Sequence, residues 1–277
     1  MSSRNVILTG IPRSGTTLAC YLLNKLPNTV ALFEPMDVGM FPHLGNHDAI
    51  CEHIDRFFIE TRDSLRNHGT AISKHINRKV PDNPIGNKLN VEGLRESLAT
   101  KGPIQIEKLL TADFLLCIKH PSAFTAIVES LVKRYPCYAI IRNPLSVLAS
   151  WNSVQFPVNK GHAPAAESLD TNLKSALGRI SDTLGRQLYL LSWFYGKYRS
   201  ALRNERVLRY EDIVHTRGRC LNVITAEANT LDEGLESKNK NRAYDTERMR
   251  VIAERLLRTS GEFWEFYTKD SVERLLA

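Results

Sequence analysis

The sequence predicts an α/β fold in which a single doubly wound domain, residues 1–277, has a mainly parallel central sheet flanked by helices. Apolar runs of about five residues alternate along the chain with patterns of helical period, the order expected of parallel strands joined by helices. Several of these runs end directly in a charged side chain, and ligands collect at the carboxyl ends of strands in such sheets. The chain is also long enough to bury a sizeable core.

A P-loop-like, phosphate-binding loop is predicted between the first strand and the first helix. The first apolar run ends at Gly10, and a helical pattern opens after Gly15. The spacing matches the loop GxxxxGK(S/T), except that Thr16 stands where the lysine belongs. We therefore expect backbone N–H groups from Ser14 to Thr17 to bind a phosphate that is less charged than a triphosphate, with Arg13 as the cation. The alternative is an ordinary strand–helix turn that contains glycines.

A carboxylate follows the second predicted strand. Thr29–Phe33 is an apolar run of strand type, and Glu34 comes directly after it, before a proline. A carboxylate at that edge of an α/β sheet is placed where ligands collect. The alternative is a surface glutamate before a proline turn.

Two basic side chains end a third predicted strand, Phe114–Ile118. Lys119 can neutralise charge on a reacting group, and His120 can act as a base because imidazole titrates near neutral pH. Adjacent strand residues point to opposite faces, so one of the two is expected to face the ligand. The alternative for His120 is a hydrogen-bonded helix cap.

A polar strand–helix junction is predicted after the strand Cys137–Ile141. Arg142 ends this strand and Asn143 begins a helix, in which Ser150 lies eight residues beyond the arginine. Arg142 offers a bidentate fork and Ser150 a hydroxyl to a dianionic phosphate. The alternative is a strand–helix junction with a surface arginine.

Together these motifs resemble sulfotransferases that use 3′-phosphoadenosine 5′-phosphosulfate (PAPS). The segment from Gly10 to Thr17 is similar to their 5′-phosphosulfate loop, Phe33-Glu34-Pro35 to a motif of carbohydrate-type and bacterial members, and Arg142 with Ser150 to their 3′-phosphate element. The resemblance covers residues 6–35, 114–154 and 205–213. In the last of these ranges it rests on Tyr210-Glu211-Asp212, a segment that closes the sheet in the family. The Lys-Thr-His pattern of small-molecule enzymes and a C-terminal Arg-x-Gly clamp are not reproduced.

The resemblance implies transfer of a sulfuryl group from PAPS to an acceptor hydroxyl or amine, without a metal and with release of adenosine 3′,5′-bisphosphate. Residues Ser14, Gly15, Thr16 and Thr17 would hold the 5′-phosphate, and Arg142 and Ser150 the 3′-phosphate. Arg13 and Lys119 would stabilise charge on the leaving oxygen. Glu34 or His120 would take the acceptor proton. The acceptor, a small molecule or a glycan, stays open, as do the C-terminal residues of the nucleotide site and the oligomeric state.

The remaining elements are predicted from periodicity and composition. They are a helix at 46–68, a basic proline-broken loop at 70–90, a short helix near 91–100, a strand at Pro103–Glu107, a loop at Phe156–Pro164, helices at 167–180, 183–202 and 245–258, and a basic run at 238–242.

Net charge and cysteine content indicate the kind of ligand and the cellular compartment, but they do not decide the function. The net charge of +7 suits an anionic ligand, nucleic acid or an acidic membrane. The five cysteines include no CxxC pair, which favours a reducing compartment. A membrane span requires about 20 consecutive apolar residues, and no stretch of the sequence is nearly that long. We expect a cytoplasmic enzyme with no nucleic-acid partner.

Two other functions compete with the sulfotransferase interpretation. An atypical P-loop kinase would need a lysine in the loop and a strand-end aspartate for magnesium, and Thr16 denies the first. A basic nucleic-acid-binding protein would show basic and aromatic residues clustered on one face, which long apolar strands ending in single polar residues fit poorly.

Overall fold

The computed structural model describes residues 4–241 and 244–276. This part of the chain has nine strands: β1 Asn5–Gly10, β2 Thr29–Phe33, β3 Thr70–His75, β4 Ile85–Leu89, β5 Arg95–Ser97, β6 Thr100–Gln105, β7 Leu115–Lys119, β8 Cys137–Ile141 and β9 Val207–Arg209. Its helices are α1 Thr16–Leu23, α2 His47–His68, α3 Pro121–Ala126, α4 Val128–Leu131, α5 Pro144–Trp151, α6 Pro164–Glu167, α7 Thr171–Arg179, α8 Thr183–Ala201, α9 Tyr210–His215, α10 Thr246–Arg258 and α11 Lys269–Glu273.

Five of the strands form one parallel sheet in the order β2-β7-β1-β8-β9. Ile7 of β1 pairs with Ile118 of β7 on one side and with Cys137 of β8 on the other. Every residue of β2, β7 and β8 is buried, as expected when helices cover both faces of a parallel sheet. The predicted α/β fold with a mainly parallel sheet flanked by helices is confirmed.

The sheet order determines which strand ends meet. Because β1 is central, the loop after it lies between the ends of β7 and β8, and β2 lies beside β7. Lys119, the last residue of β7, and Glu34 and Arg142, which follow β2 and β8, therefore share one edge of the sheet with the Gly10–Gly15 loop.

Two long helices complete the core largely as predicted. α2 begins after Asn46, whose side chain accepts a hydrogen bond from the Ala49 N–H, and ends at Gly69 in the left-handed conformation. α8 buries an aromatic and aliphatic stripe that includes Phe194, Tyr195 and Tyr198. Among the residues described, no helix is both long and apolar enough to cross a membrane.

The segment between α2 and β7 differs from the prediction. Instead of a loop at 70–90 and a helix near 91–100, it forms two antiparallel ribbons, β3 with β6 and β4 with β5. The predicted strand Pro103–Glu107 is instead β6, displaced toward the N-terminus. β4, β5 and β6 are mostly exposed, and β3 buries only two of its six residues, so none of these strands has the continuous apolar run from which the central strands were predicted.

Candidate active site

The Gly10–Gly15 loop is a tight turn held by the neighbouring elements. Gly10, Arg13 and Gly15 all have positive φ, of 148°, 73° and 97°. A Cβ on Gly15 would lie 2.7 Å from Cδ2 of Tyr210, so only glycine fits there. The Trp151 indole donates a hydrogen bond to the carbonyl of Pro12 at 2.7 Å, which fixes the middle of the loop.

The start of α1 presents backbone donors to the cleft. Gly15 is the N-cap residue, and no side chain in the described ranges caps this helix. Gly15, Thr16 and Thr17 line the cleft, where the first N–H groups of the helix have no intrahelical acceptor. Ser14 differs from the prediction, because its N–H donates to the Ile11 carbonyl and its buried hydroxyl to that of Ile140.

A carboxylate held by two lysines lies beside this helix. Glu34, in the left-handed conformation at the end of β2, has one oxygen 2.9 Å from the Lys119 Nζ and the other 2.5 Å from the Lys74 Nζ. Lys119 is buried, and its Nζ also lies 3.5 Å from the Thr17 hydroxyl. Lys74 comes from the β3 ribbon, which is joined to β2 where the Phe33 N–H donates to the Ser73 hydroxyl.

These contacts determine the ionisation of Glu34. Burial raises the pKa of its carboxyl, but the positive charges of Lys119 and Lys74 outweigh burial and bring the pKa to about 2. Burial lowers the pKa of the Lys119 ammonium, and the Glu34 carboxylate opposes that effect. The resting site therefore contains a charged carboxylate that is a weak base.

His120 also lines the cleft, so both side chains after β7 reach it although one was predicted to do so. The Nε2 of His120 accepts a hydrogen bond from the Met36 N–H at 3.1 Å, which leaves the proton of the neutral ring on Nδ1. Burial lowers the pKa of His120 to about 3. His120 is the N-cap residue of α3, as the alternative supposed, but its ring accepts from Met36 rather than from the helix. A committed Nε2 disfavours His120 as the base.

Arg142 is buried at the other end of the same edge. Its Nε donates to the Asn239 side chain at 2.7 Å, and its two terminal nitrogens donate to the carbonyls of Arg13 and Lys238. The guanidinium carbon lies 4.6 Å from the centre of the Tyr210 ring. These contacts with described residues use three of its five N–H donors.

Arg13 points toward Arg142 rather than toward Glu34. Its Nε donates to the Ser150 hydroxyl at 3.3 Å, and a terminal nitrogen donates to the Asn83 side chain at 3.2 Å. Burial, together with the charges of Arg142 and Arg95, lowers the pKa of Arg13 to about 10. The predicted pair of Arg142 and Ser150 is therefore joined by Arg13, while Ser150 itself is buried behind that side chain.

Arg95 is a further cation that the sequence did not indicate. It lies in β5, and its guanidinium donates to the Ser153 hydroxyl at 2.7 Å, just beyond the end of α5. A backbone bridge between Arg95 and Val154 attaches the ribbon to this position. No motif marked Arg95, because it lies in a segment that was predicted to be a short helix near 91–100 and is instead the strand β5.

Glu211 was expected to close the sheet, and the sequence did not indicate its contacts with the site. One carboxylate oxygen accepts from the Asn143 N–H and from the Asn239 side chain, and the other accepts from the Tyr267 hydroxyl. Since Asn239 in turn holds Arg142, the Tyr-Glu-Asp segment supports the site as well as the edge of the sheet. Of the basic run at 238–242, Arg242 lies outside the described residues.

These groups share one cleft of about 1170 Å³. Within the described part of the chain its lining includes six Lys or Arg side chains and three Asp or Glu side chains. The basic residues are Arg13, Lys74, Arg95, Lys119, Arg142 and Lys238. A cleft of this size and charge suits a large anionic ligand.

No protein-family model matches the chain, and no curated protein matches it significantly. The functional assignment therefore depends on the residues and geometry of the cleft.

Proposed function

We propose that this protein is a sulfotransferase that transfers the sulfuryl group of PAPS to an acceptor hydroxyl. The observation that carries the proposal is the arrangement of one cleft, in which a lysine–carboxylate pair and two groups of anion-binding residues follow one another along the edge of the sheet. The groups are the α1 N-terminus with its loop and the Arg142 cluster, defined as Arg13, Arg95 and Arg142. The pair is Lys119 with Glu34.

The start of α1 would hold the 5′-phosphate. Backbone N–H groups at Gly15, Thr16 and Thr17, with the positive end of the helix dipole, favour an anion. The space at Gly15 that a Cβ would fill lets the ligand and Tyr210 approach the loop closely. Ser14 serves this site by anchoring the loop to β8 rather than by donating to the ligand.

The Arg142 cluster would hold the 3′-phosphate, the group that distinguishes PAPS from ATP. Arg142 and Arg95 both lie close enough to Arg13 to lower its pKa, so a bound polyanion would offset this repulsion, and forked guanidinium groups match phosphate oxygens. In this proposal Ser150 orients Arg13. Arg13 thereby contributes to the 3′-phosphate site, and the stabilisation of the leaving oxygen falls to Lys119.

Lys119 would stabilise the negative charge on the leaving oxygen, and Glu34 would take the proton of the acceptor. PAPS supplies an activated sulfuryl group. Lys119 lies between the Thr17 hydroxyl and Glu34, so its ammonium can move toward an anion bound at α1. The Glu34 carboxylate would then lose its buried cation, and burial would raise its pKa. Glu34 becomes a stronger base when the anion is bound, and its oxygen accepts the acceptor proton.

A turnover measurement tests this proposal against the kinase alternative. PAPS, or ATP with magnesium, is incubated with the protein and a pool of phenols, alkyl alcohols and sugars, and the nucleotides are separated by anion-exchange chromatography. We expect adenosine 3′,5′-bisphosphate to accumulate, and to accumulate far more slowly with Lys119→Met. Conversion of ATP to ADP with PAPS left intact would contradict the proposal and favour a kinase.

A further inference from the structure

We propose that the acceptor is an uncharged, largely apolar alcohol or phenol that binds against one wall of the cleft. This inference rests on the sulfotransferase function proposed above. The wall, called here the acceptor wall, is formed by the start of α3 and by the segment between α5 and α6. Its lining residues are Pro121, Ala123, Phe156, Val158, Ala163 and Ala165.

The acceptor wall begins next to the reacting groups. Lys119 ends β7, and Pro121 is the first residue of α3, so only His120 separates the wall from the lysine. The start of α6 packs against α3, which brings the 156–165 segment to the same side of the cleft. A hydroxyl compound seated on this wall is therefore close to Glu34.

The charges of the cleft lie elsewhere. Of its six basic side chains, Lys74 and Lys119 are paired with Glu34. Arg13, Arg95 and Arg142 form the Arg142 cluster, and the Lys238 ammonium pairs with Glu236. The described residues of the acceptor wall include no Lys or Arg that lines the cleft. Arg95 pairs through its backbone with Gln155, next to Phe156, so the cation nearest to the wall belongs to the Arg142 cluster. Toward α3 a carboxylate or sulfate on the acceptor would find no counter-charge on the wall, and the several hydroxyls of a sugar would lose hydrogen bonds to water.

Among the described residues, the two segments of the wall contribute two polar residues to the cleft lining, Ser122 and His162, and His162 is held in a fixed orientation. The Nδ1 of His162 lies 3.2 Å from both carboxylate oxygens of Glu167, and one of these oxygens also accepts from the Ala163 N–H at 2.7 Å. With Nδ1 committed to Glu167, Nε2 is the ring atom left for a ligand in the cleft. This arrangement suits an acceptor with few polar groups on a mostly apolar frame.

The wall is also preformed. The Gln187 amide donates to the carbonyls of Val158 and Asn159, and the Asn159 amide donates to the Trp151 carbonyl. These buried hydrogen bonds hold the short 3₁₀ turn at Pro157–Lys160 against α8 and α5. A preformed apolar surface binds a rigid apolar ligand without the cost of ordering a loop.

Calorimetric titration with three small probes tests the inference. Naphthol, naphthoate and methyl glucoside are titrated into the protein saturated with adenosine 3′,5′-bisphosphate. We expect naphthol to bind at least tenfold more tightly than the other two. Phe156→Ala should lower the affinity for naphthol by about tenfold, equivalent to about 1.4 kcal/mol, and leave the affinity for the bisphosphate unchanged. Tyr189→Ala, which truncates an exposed aromatic side chain outside the cleft lining, is the matched control and should change neither affinity.

A charge placed on the wall gives a second test. Ala165→Lys should raise the affinity for naphthoate above that for naphthol, because the wall then carries a cation. If the bisphosphate binds but methyl glucoside or naphthoate equals naphthol in the unaltered protein, the acceptor inference is wrong and the proposed function stands. If naphthol binds with the expected selectivity but the bisphosphate does not bind, the proposed function fails.

Discussion

The lysine-held carboxylate predicts how stability should depend on pH. Glu34→Gln replaces the carboxylate by a neutral group of the same shape, as protonation does. The folded-state pKa of Glu34 is about 2, below its ordinary value of 4.5. A carboxyl whose pKa is lower in the folded state stabilises the protein above the unfolded-state pKa, and that stabilisation is lost as pH falls toward the folded-state pKa.

The difference between these two pKa values gives the magnitude. Near neutral pH the ionised carboxylate contributes about 3 kcal/mol to the free energy of unfolding, and at about pH 3 its contribution falls to about 1.5 kcal/mol. Most of this contribution comes from Lys119, because its side chain is 3% exposed whereas that of Lys74 is 38% exposed.

Urea unfolding of both proteins at these two pH values measures the effect. We expect Glu34→Gln to lower the free energy of unfolding by about 3 kcal/mol near neutral pH and by about half as much at about pH 3. Glu129→Gln, which removes a largely exposed partner of Lys197, should cost less than about 1 kcal/mol at either pH. A Glu34→Gln penalty that does not change with pH would refute the reasoning.

Three further substitutions test how the nucleotide site is built. Arg95→Met should lower the affinity for adenosine 3′,5′-bisphosphate by about tenfold in calorimetry, because one charge-assisted contact is lost, and should leave the affinity for adenosine 5′-monophosphate unchanged. Equal losses of affinity for both ligands would contradict this. Gly15→Ala should lower both the melting temperature and nucleotide affinity, because its Cβ meets the Tyr210 ring; a fully active, equally stable variant would contradict the loop geometry. Glu211→Gln should lower the affinity for the bisphosphate more than that for the monophosphate, because Arg142 is then misplaced. An unchanged ratio of the two affinities would show that Glu211 does not position Arg142.

Four strands of the central sheet, β1, β2, β7 and β8, could be predicted from sequence because each carries a continuous apolar run. β2 and β8 have the predicted bounds, Thr29–Phe33 and Cys137–Ile141. The ribbons at 70–105 could not be predicted in this way, because pairing with a neighbouring strand rather than burial holds them. Basic residues and prolines in such short strands are typical of loops as well.

The site was predictable where strand ends alone determine position. Glu34, Lys119 and Arg142 meet at one edge because parallel strands align their carboxyl ends. Side-chain direction was not predictable, since Arg13 reaches Ser150 through the left-handed turn of the loop. Arg95 was missed because a contact across 58 residues leaves no local pattern in the sequence.

The central claim is that the cleft recognises a nucleotide through its 3′-phosphate. The most direct measurement is calorimetric titration of adenosine 3′,5′-bisphosphate and adenosine 5′-monophosphate, which differ by that one phosphate. We expect the bisphosphate to bind about 100-fold more tightly, the equivalent of two charge-assisted hydrogen bonds. Arg142→Lys keeps the charge but removes the forked guanidinium, so it should abolish most of this difference in affinity and leave the affinity for the monophosphate unchanged. Equal affinities in the unaltered protein, or tighter binding of ATP with magnesium, would contradict the account.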